Sequence, residues 1–162
     1  MKDIEIKLFK HSLLLPGLFV LVLAIIALTE YILGISFNHF GIYPRTLKGL
    51  WGVLLAPLIH ADFNHLFANS VPLIVLGSGT IYFYRSLSYR VFVIVWFVSS
   101  FLVWIGGRPS FHIGASGIVY GLASFLFFSG AIRRDSRLAA ISLVVVFLCG
   151  GMIWGIFPIW PT

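Results

Sequence analysis

Five stretches of this chain carry no charged residue: Ser12–Thr29, Leu66–Tyr84, Val91–Gly107, Pro109–Ile132 and Leu138 to the C-terminus. A bilayer core of about 30 Å is crossed by roughly 20 helical residues. The pattern therefore predicts five membrane spans, at residues 12–33, 65–84, 90–107, 115–132 and 137–157. The first run, through Leu13–Leu28, is longer than the roughly 7–15 residues of a signal-peptide core, and no small-x-small cleavage site follows it. It reads as a retained first helix. Between spans one and two, the connection Ser36–Asn64 is too long for a simple turn. Its apolar piece, Gly49–Ile59, is too short to span and reads as lying at the membrane interface, with Pro57 interrupting any helix there.

Composition agrees with that pattern. The chain is 60% hydrophobic and 10% charged, against about 25% charged in soluble domains, and its mean hydropathy is +1.05. The expected fold class is an all-α polytopic transmembrane bundle, a single domain over residues 1–162. Lys2, Lys7, Lys10, Arg85, Arg90, Arg133, Arg134 and Arg137 fall on one side of the spans, and only Arg45, Lys48 and Arg108 on the other. The positive-inside bias then puts the N-terminus in the cytoplasm, in a bacterial inner membrane. These loop residues account for the net charge of +6. No basic stripe is present, which excludes nucleic acid as a partner. The lone cysteine, Cys149, has no intrachain disulfide partner and reads as a small core residue.

Candidate chemistry sits in two polar clusters at the starts of apolar runs. In His112-Ile113-Gly114-Ala115-Ser116-Gly117, a serine opens the fourth span between two glycines. A serine nucleophile needs a base and donors for the oxyanion it creates. A helix start offers unpaired N–H groups, and glycine allows close approach to the backbone. The hydrolase elbow G-x-S-x-G is absent, because position 118 is Ile. Packing is the competing reading, since Gly117 and Gly121 form a G-x-x-x-G pair. In the second cluster, His65 and Asn69 are four apart and share a helix face, with His60 and Asp62 just before them. Helix-to-helix hydrogen bonding is an alternative role there. The spacing lacks the H-E-x-x-H arrangement, and no metal is expected. Glu30 near the end of span one leaves a transporter as a third class, disfavoured by the scarcity of intramembrane charge.

In combination and order, these residues resemble the rhomboid intramembrane serine proteases: Gly41-Ile42-Tyr43-Pro44-Arg45 in a long first loop, His60, His65 and Asn69 at the second span, and Gly114-Ala115-Ser116-Gly117 at the fourth. The resemblance implies hydrolysis of a peptide bond in or near a substrate's transmembrane segment, with no cofactor. The implied partners are transmembrane protein substrates and the lipid bilayer. It makes Ser116 the nucleophile, and His65 and Asn69 oxyanion donors beside the Ser116 backbone. His60, Gly114, Gly117 and Tyr120 become supporting residues. Tyr120 falls where the family has an aromatic residue packed against its catalytic histidine.

That histidine belongs to a sixth helix in the family, and these 162 residues supply no counterpart. His112 lies four before Ser116, but Gly114 breaks any helix between them. The expectation is a portion of a longer six-span protein, inactive by itself. The alternative is a catalytically silent relative that binds transmembrane segments and controls their trafficking or degradation, against which Ser116 and Asn69 argue.

Overall fold

The computed structural model describes residues 2–148. Six helices follow in order: α1 (Lys2–Leu33), α2 (Gly52–Leu55), α3 (Phe63–Phe83), α4 (Ser88–Gly106), α5 (Ser116–Arg133) and α6 (Ser136–Leu148). Among the described residues there is no strand, only an isolated antiparallel bridge between Ile42 and His112. Helices α1, α3, α4 and α5 are long and apolar enough to cross a membrane. The chain is a multi-pass, all-α membrane protein. The fifth run, residues 137–157, begins as α6; its second half, Cys149 included, lies outside the described residues.

Helix α1 starts ten residues before the apolar run, so Lys2–His11 are helical as well. At 1.5 Å per residue its 32 residues extend about 48 Å, and its basic first turns therefore reach past a core of about 30 Å. Helix α3 begins at Phe63 because the Asp62 carboxylate caps it, accepting from the His65 amide at 2.7 Å. Hydroxyls inside the spans turn back onto their own helices. Ser70 donates to the Leu66 carbonyl, Thr80 to Leu76 and Ser142 to Leu138, which satisfies these groups without water.

Helix α3 is the centre of the bundle. Leu73 and Leu76 on α3 pack with Leu23 of α1 and Ile118, Leu122 and Leu126 of α5 in one fully buried cluster. Gly77 is where three helices meet: a Cβ there would lie 2.9 Å from Pro16 of α1 and 3.0 Å from Phe92 of α4. The pair Gly117 and Gly121 is spent on α4, where Ser99 and Val95 occupy the space that side chains would need. At the far end, the Arg133 guanidinium lies 4.6 Å over the Tyr84 ring, which meets Phe125 edge-on.

The first loop corrects the interfacial expectation. It folds as three short helical turns, Lys48–Leu50, α2 and Ala56–Leu58, with Pro57 at the start of the last. The Trp96 indole N–H donates to the Val53 carbonyl at 3.1 Å, and Trp96 lies near the middle of α4. The loop thus reaches the mid-depth of that span instead of resting at its end. Nearer the end of α4, the Trp104 indole donates to Thr46, the Arg45 amide to Trp104, and the Arg45 side chain to Ile105. Backbone submerged in a membrane needs such partners.

Gly121→Ala should lower the melting temperature of the purified protein, because the new methyl overlaps Val95, and overpacking typically costs 1–3 kcal/mol. Adding Val95→Ala should recover most of the loss. An unchanged midpoint in the single variant, or no recovery in the double, would contradict this α4–α5 contact.

Candidate active site

Ser116 is the first residue of α5, and the chain approaches it as an extended segment held on several sides. His112 exchanges two backbone hydrogen bonds with Ile42, both 2.9 Å. The Gly114 amide donates to the Ala56 carbonyl at 2.9 Å. The Ala115 amide donates to Nε2 of His60 at 3.4 Å. Beyond that point the first turn begins, and Ile118 and Val119 donate to the Ala115 carbonyl. The amides of Ser116 and Gly117 have no partner among the described residues, and neither does the Ser116 hydroxyl. Two free N–H groups at a helix start, beside a half-buried hydroxyl, suit a developing negative charge.

Gly114 adopts φ +102°, which side chains rarely permit. Space forbids one as well. A Cβ there would lie 2.6 Å from Cε1 and 2.7 Å from Nε2 of His65, and 3.8 Å from the Asn69 amide nitrogen. The shared face of His65 and Asn69 on α3 is thus pressed onto the backbone two residues before Ser116. Asn69 is fully buried; its amide donates to the His65 carbonyl at 3.0 Å, and its Oδ1 has no partner.

His60 is 4% exposed and meets the His65 ring edge-on at 5.1 Å. By accepting from Ala115 through Nε2, it must carry its proton on Nδ1, which has no partner in hydrogen-bond geometry. Burial, and then the neighbouring His65 ring, lower its pKa from 6.5 to about 4, against weaker opposing pulls from the Leu58 backbone and Asp62. His60 is therefore neutral at physiological pH.

A cavity of about 390 Å³ opens beside Ser116, lined also by Gly114, Tyr120, His112, Ser99 of α4 and Pro57 of the loop. His60, His65 and Asn69 are not among its lining residues. His112 faces this cavity, but its Nε2 sits 3.0 Å from the Arg108 carbonyl, which can only accept. The close neighbour of Gly117 is Ser99, so its lack of a side chain serves helix packing. Among the described residues, no three His, Cys, Asp or Glu side chains gather into a metal-binding group. Ala56 and Ile42 escape a reading of the sequence, because each acts on the site through its backbone.

The Rhomboid domain family model matches residues 47–160, which contain both polar clusters and the submerged part of the loop. Uncharacterized proteins of Mycobacterium tuberculosis and Mycobacterium bovis are each 36% identical to the chain over 147 residues, covering 87% of it and 61% of the relative. One of Mycobacterium leprae is 32% identical over 148 residues, covering 87% of the chain and 58% of the relative. The chain thus spans about three fifths of the length of the curated relatives it matches. No solved structure matches it. With the family match extending over most of its length, the chain belongs to the rhomboid family.

Proposed function

We propose that the complete gene product is an intramembrane serine protease that cleaves a peptide bond in or near a substrate's transmembrane segment. The observation that carries this reading is the seating of His65 and Asn69 against Gly114, beside the free first-turn amides and hydroxyl of Ser116. Ser116 attacks the scissile carbonyl. The oxyanion is stabilised by the Ser116 amide, the Asn69 side chain and the His65 ring, and water then releases the acyl enzyme. Tyr120 lines the same cavity one helical turn further on, where a histidine acting as base would stack. We assign that base to a histidine outside these 162 residues, since no hydrogen bond joins His112 to Ser116 and its Nε2 is turned to the Arg108 carbonyl. The N-terminus is cytoplasmic, which places Ser116 toward the outer face. A non-catalytic role in binding transmembrane segments is the second reading, favoured by the lack, among the described residues, of a histidine hydrogen-bonded to Ser116.

Ser116→Ala should abolish cleavage of a model transmembrane substrate by the complete gene product, a loss of at least roughly a thousandfold, with the melting temperature retained. Near wild-type cleavage by the variant would remove Ser116 from the mechanism. Failure of the unsubstituted protein to cleave any transmembrane substrate or to react with a fluorophosphonate would favour the non-catalytic reading.

Asn69→Ala should lower kcat by about 10² to 10³ while changing KM little, as expected for a donor that acts on the transition state. A variant altered mainly in KM would place Asn69 in substrate binding instead.

His60 generates a prediction about pH. Its folded pKa of about 4 lies below the ordinary 6.5, so between those values the unfolded chain takes up a proton that the folded protein does not. The stability that His60 contributes is complete above pH 6.5 and falls as pH drops toward 4. Thermal midpoints measured across this window should decline less steeply in His60→Gln, whose side-chain oxygen accepts from Ala115 without titrating. Parallel declines in the two proteins would show that His60 does not set this dependence.

A further inference from the structure

The cavity beside Ser116 extends along the last turns of α4. Ser99, whose hydroxyl lies 3.0 Å from where a Cβ on Gly117 would stand, marks the end next to the nucleophile. His112 marks the other, since a Cβ on Gly107 would lie 2.9 Å from its Nε2. Ser99 and Gly107 are eight residues apart, about 12 Å along a helix. Leu102 and Val103 make the wall between them apolar.

His112 is held from three directions. Its backbone exchanges two hydrogen bonds with Ile42, its ring rests against Gly107, and its Nε2 meets the Arg108 carbonyl at 3.0 Å. A carbonyl only accepts, so Nε2 carries the ring proton and Nδ1 keeps a lone pair. That Nδ1 has no partner among the described residues and is not buried. The two ring nitrogens point nearly opposite ways. With Nε2 closed off, the Nδ1 edge is the one that a ligand in the cavity meets. At the near end, the Ser99 hydroxyl gives its proton to the Trp96 carbonyl at 3.3 Å. The Ser116 and Gly117 amides are the donors already assigned to the oxyanion, and what His112 adds at the far end is an acceptor.

We propose that His112 is a specificity-determining residue, whose Nδ1 accepts a hydrogen bond from a substrate side chain of the Asn, Gln, Ser or Thr class. An extended chain advances about 3.3 Å per residue, so that side chain belongs to a residue roughly three or four positions from the scissile bond. An apolar residue there leaves the lone pair of a half-buried ring unpaired, the means by which polar sites reject apolar analogues. The inference rests on the reading of Ser116 as nucleophile and names the substrate class for that site.

The test uses the complete gene product and a model transmembrane substrate carrying Asn, Leu or Asp at the third or fourth position on either side of the scissile bond. Asn at one of these positions should raise kcat/KM about tenfold over Leu. His112→Phe, which keeps the ring and removes its nitrogens, should erase that ratio while the Leu substrate is cleaved within about twofold of the original rate. The backbone pairing with Ile42 does not depend on the side chain, and thermal midpoints check it; a variant that loses its fold is replaced by His112→Leu. An equal Asn preference in the variant, or none in the unsubstituted protein, would overturn the proposal. A preference for Asp over Asn would overturn it in favour of Arg108, and an equal loss on both substrates in a folded variant would make His112 part of the catalytic machinery. If the unsubstituted protein cleaves nothing, the protease reading fails separately, and binding of the same substrates to the Ser116→Ala protein still decides: equal Kd for Asn and Leu would overturn the role of His112.

Discussion

The approach of the His65 ring to the bare backbone of Gly114 is the contact on which the site depends. It requires a residue without a side chain at φ +102°, and it brings the N-terminal ends of α3 and α5 together. Each helix start carries partial positive charge from its unpaired amides. The two starts therefore combine at one place, where the surrounding protein limits screening by water. On the α3 side, Asp62 caps the helix and sets His65 and Asn69 on the inner face. On the α5 side, the carbonyl of Ala56 and the imidazole of His60 fix the two amides before Ser116. Any side chain at position 114 would push these halves apart.

The first loop is the frame that keeps them in place. Its indole and backbone hydrogen bonds to α4 run from Trp96 near mid-span to Trp104 and Ile105 at the end. From there it reaches α5 through Ile42 with His112 and Ala56 with Gly114. An irregular segment at membrane depth is tolerable only when its polar groups find protein partners. Gly49 and Gly52 make that possible, since a side chain at either would collide with the backbone of Tyr43 or of Gly41 and Ile42. The loop is thus a packed layer of the bundle, joining the α4 side to the site.

Much of this was legible in the sequence because membranes impose a coarse rule: charged residues are expelled from spans, and polar residues inside them are few. The charge-free runs located the long helices, and the same scarcity made Ser116, His65 and Asn69 conspicuous. That His65 and Asn69 face the backbone of Gly114, two residues before Ser116, did not follow from spacing, since they stand on a different helix far away in the chain, and only the family resemblance linked them. Backbone contributions were invisible, because nothing about the side chains of Ala56 or Ile42 signals a carbonyl aimed at another loop. The glycine pair at 117 and 121 announced close packing but not its partner, which is α4. The depth of the loop was misjudged because a short apolar piece suits the interface equally well until Trp96 is seen to hold it.

The most direct measurement is an experimental structure of the complete gene product after reaction with a fluorophosphonate, whose phosphoryl oxygen stands in for the tetrahedral oxyanion. That oxygen should lie about 2.7–3.1 Å from the Ser116 amide and the Asn69 side-chain nitrogen, with the His65 ring beside it. An adduct on Ser116 whose oxygen points toward Ser99 and His112, out of reach of both His65 and Asn69, would contradict the assignment of this site.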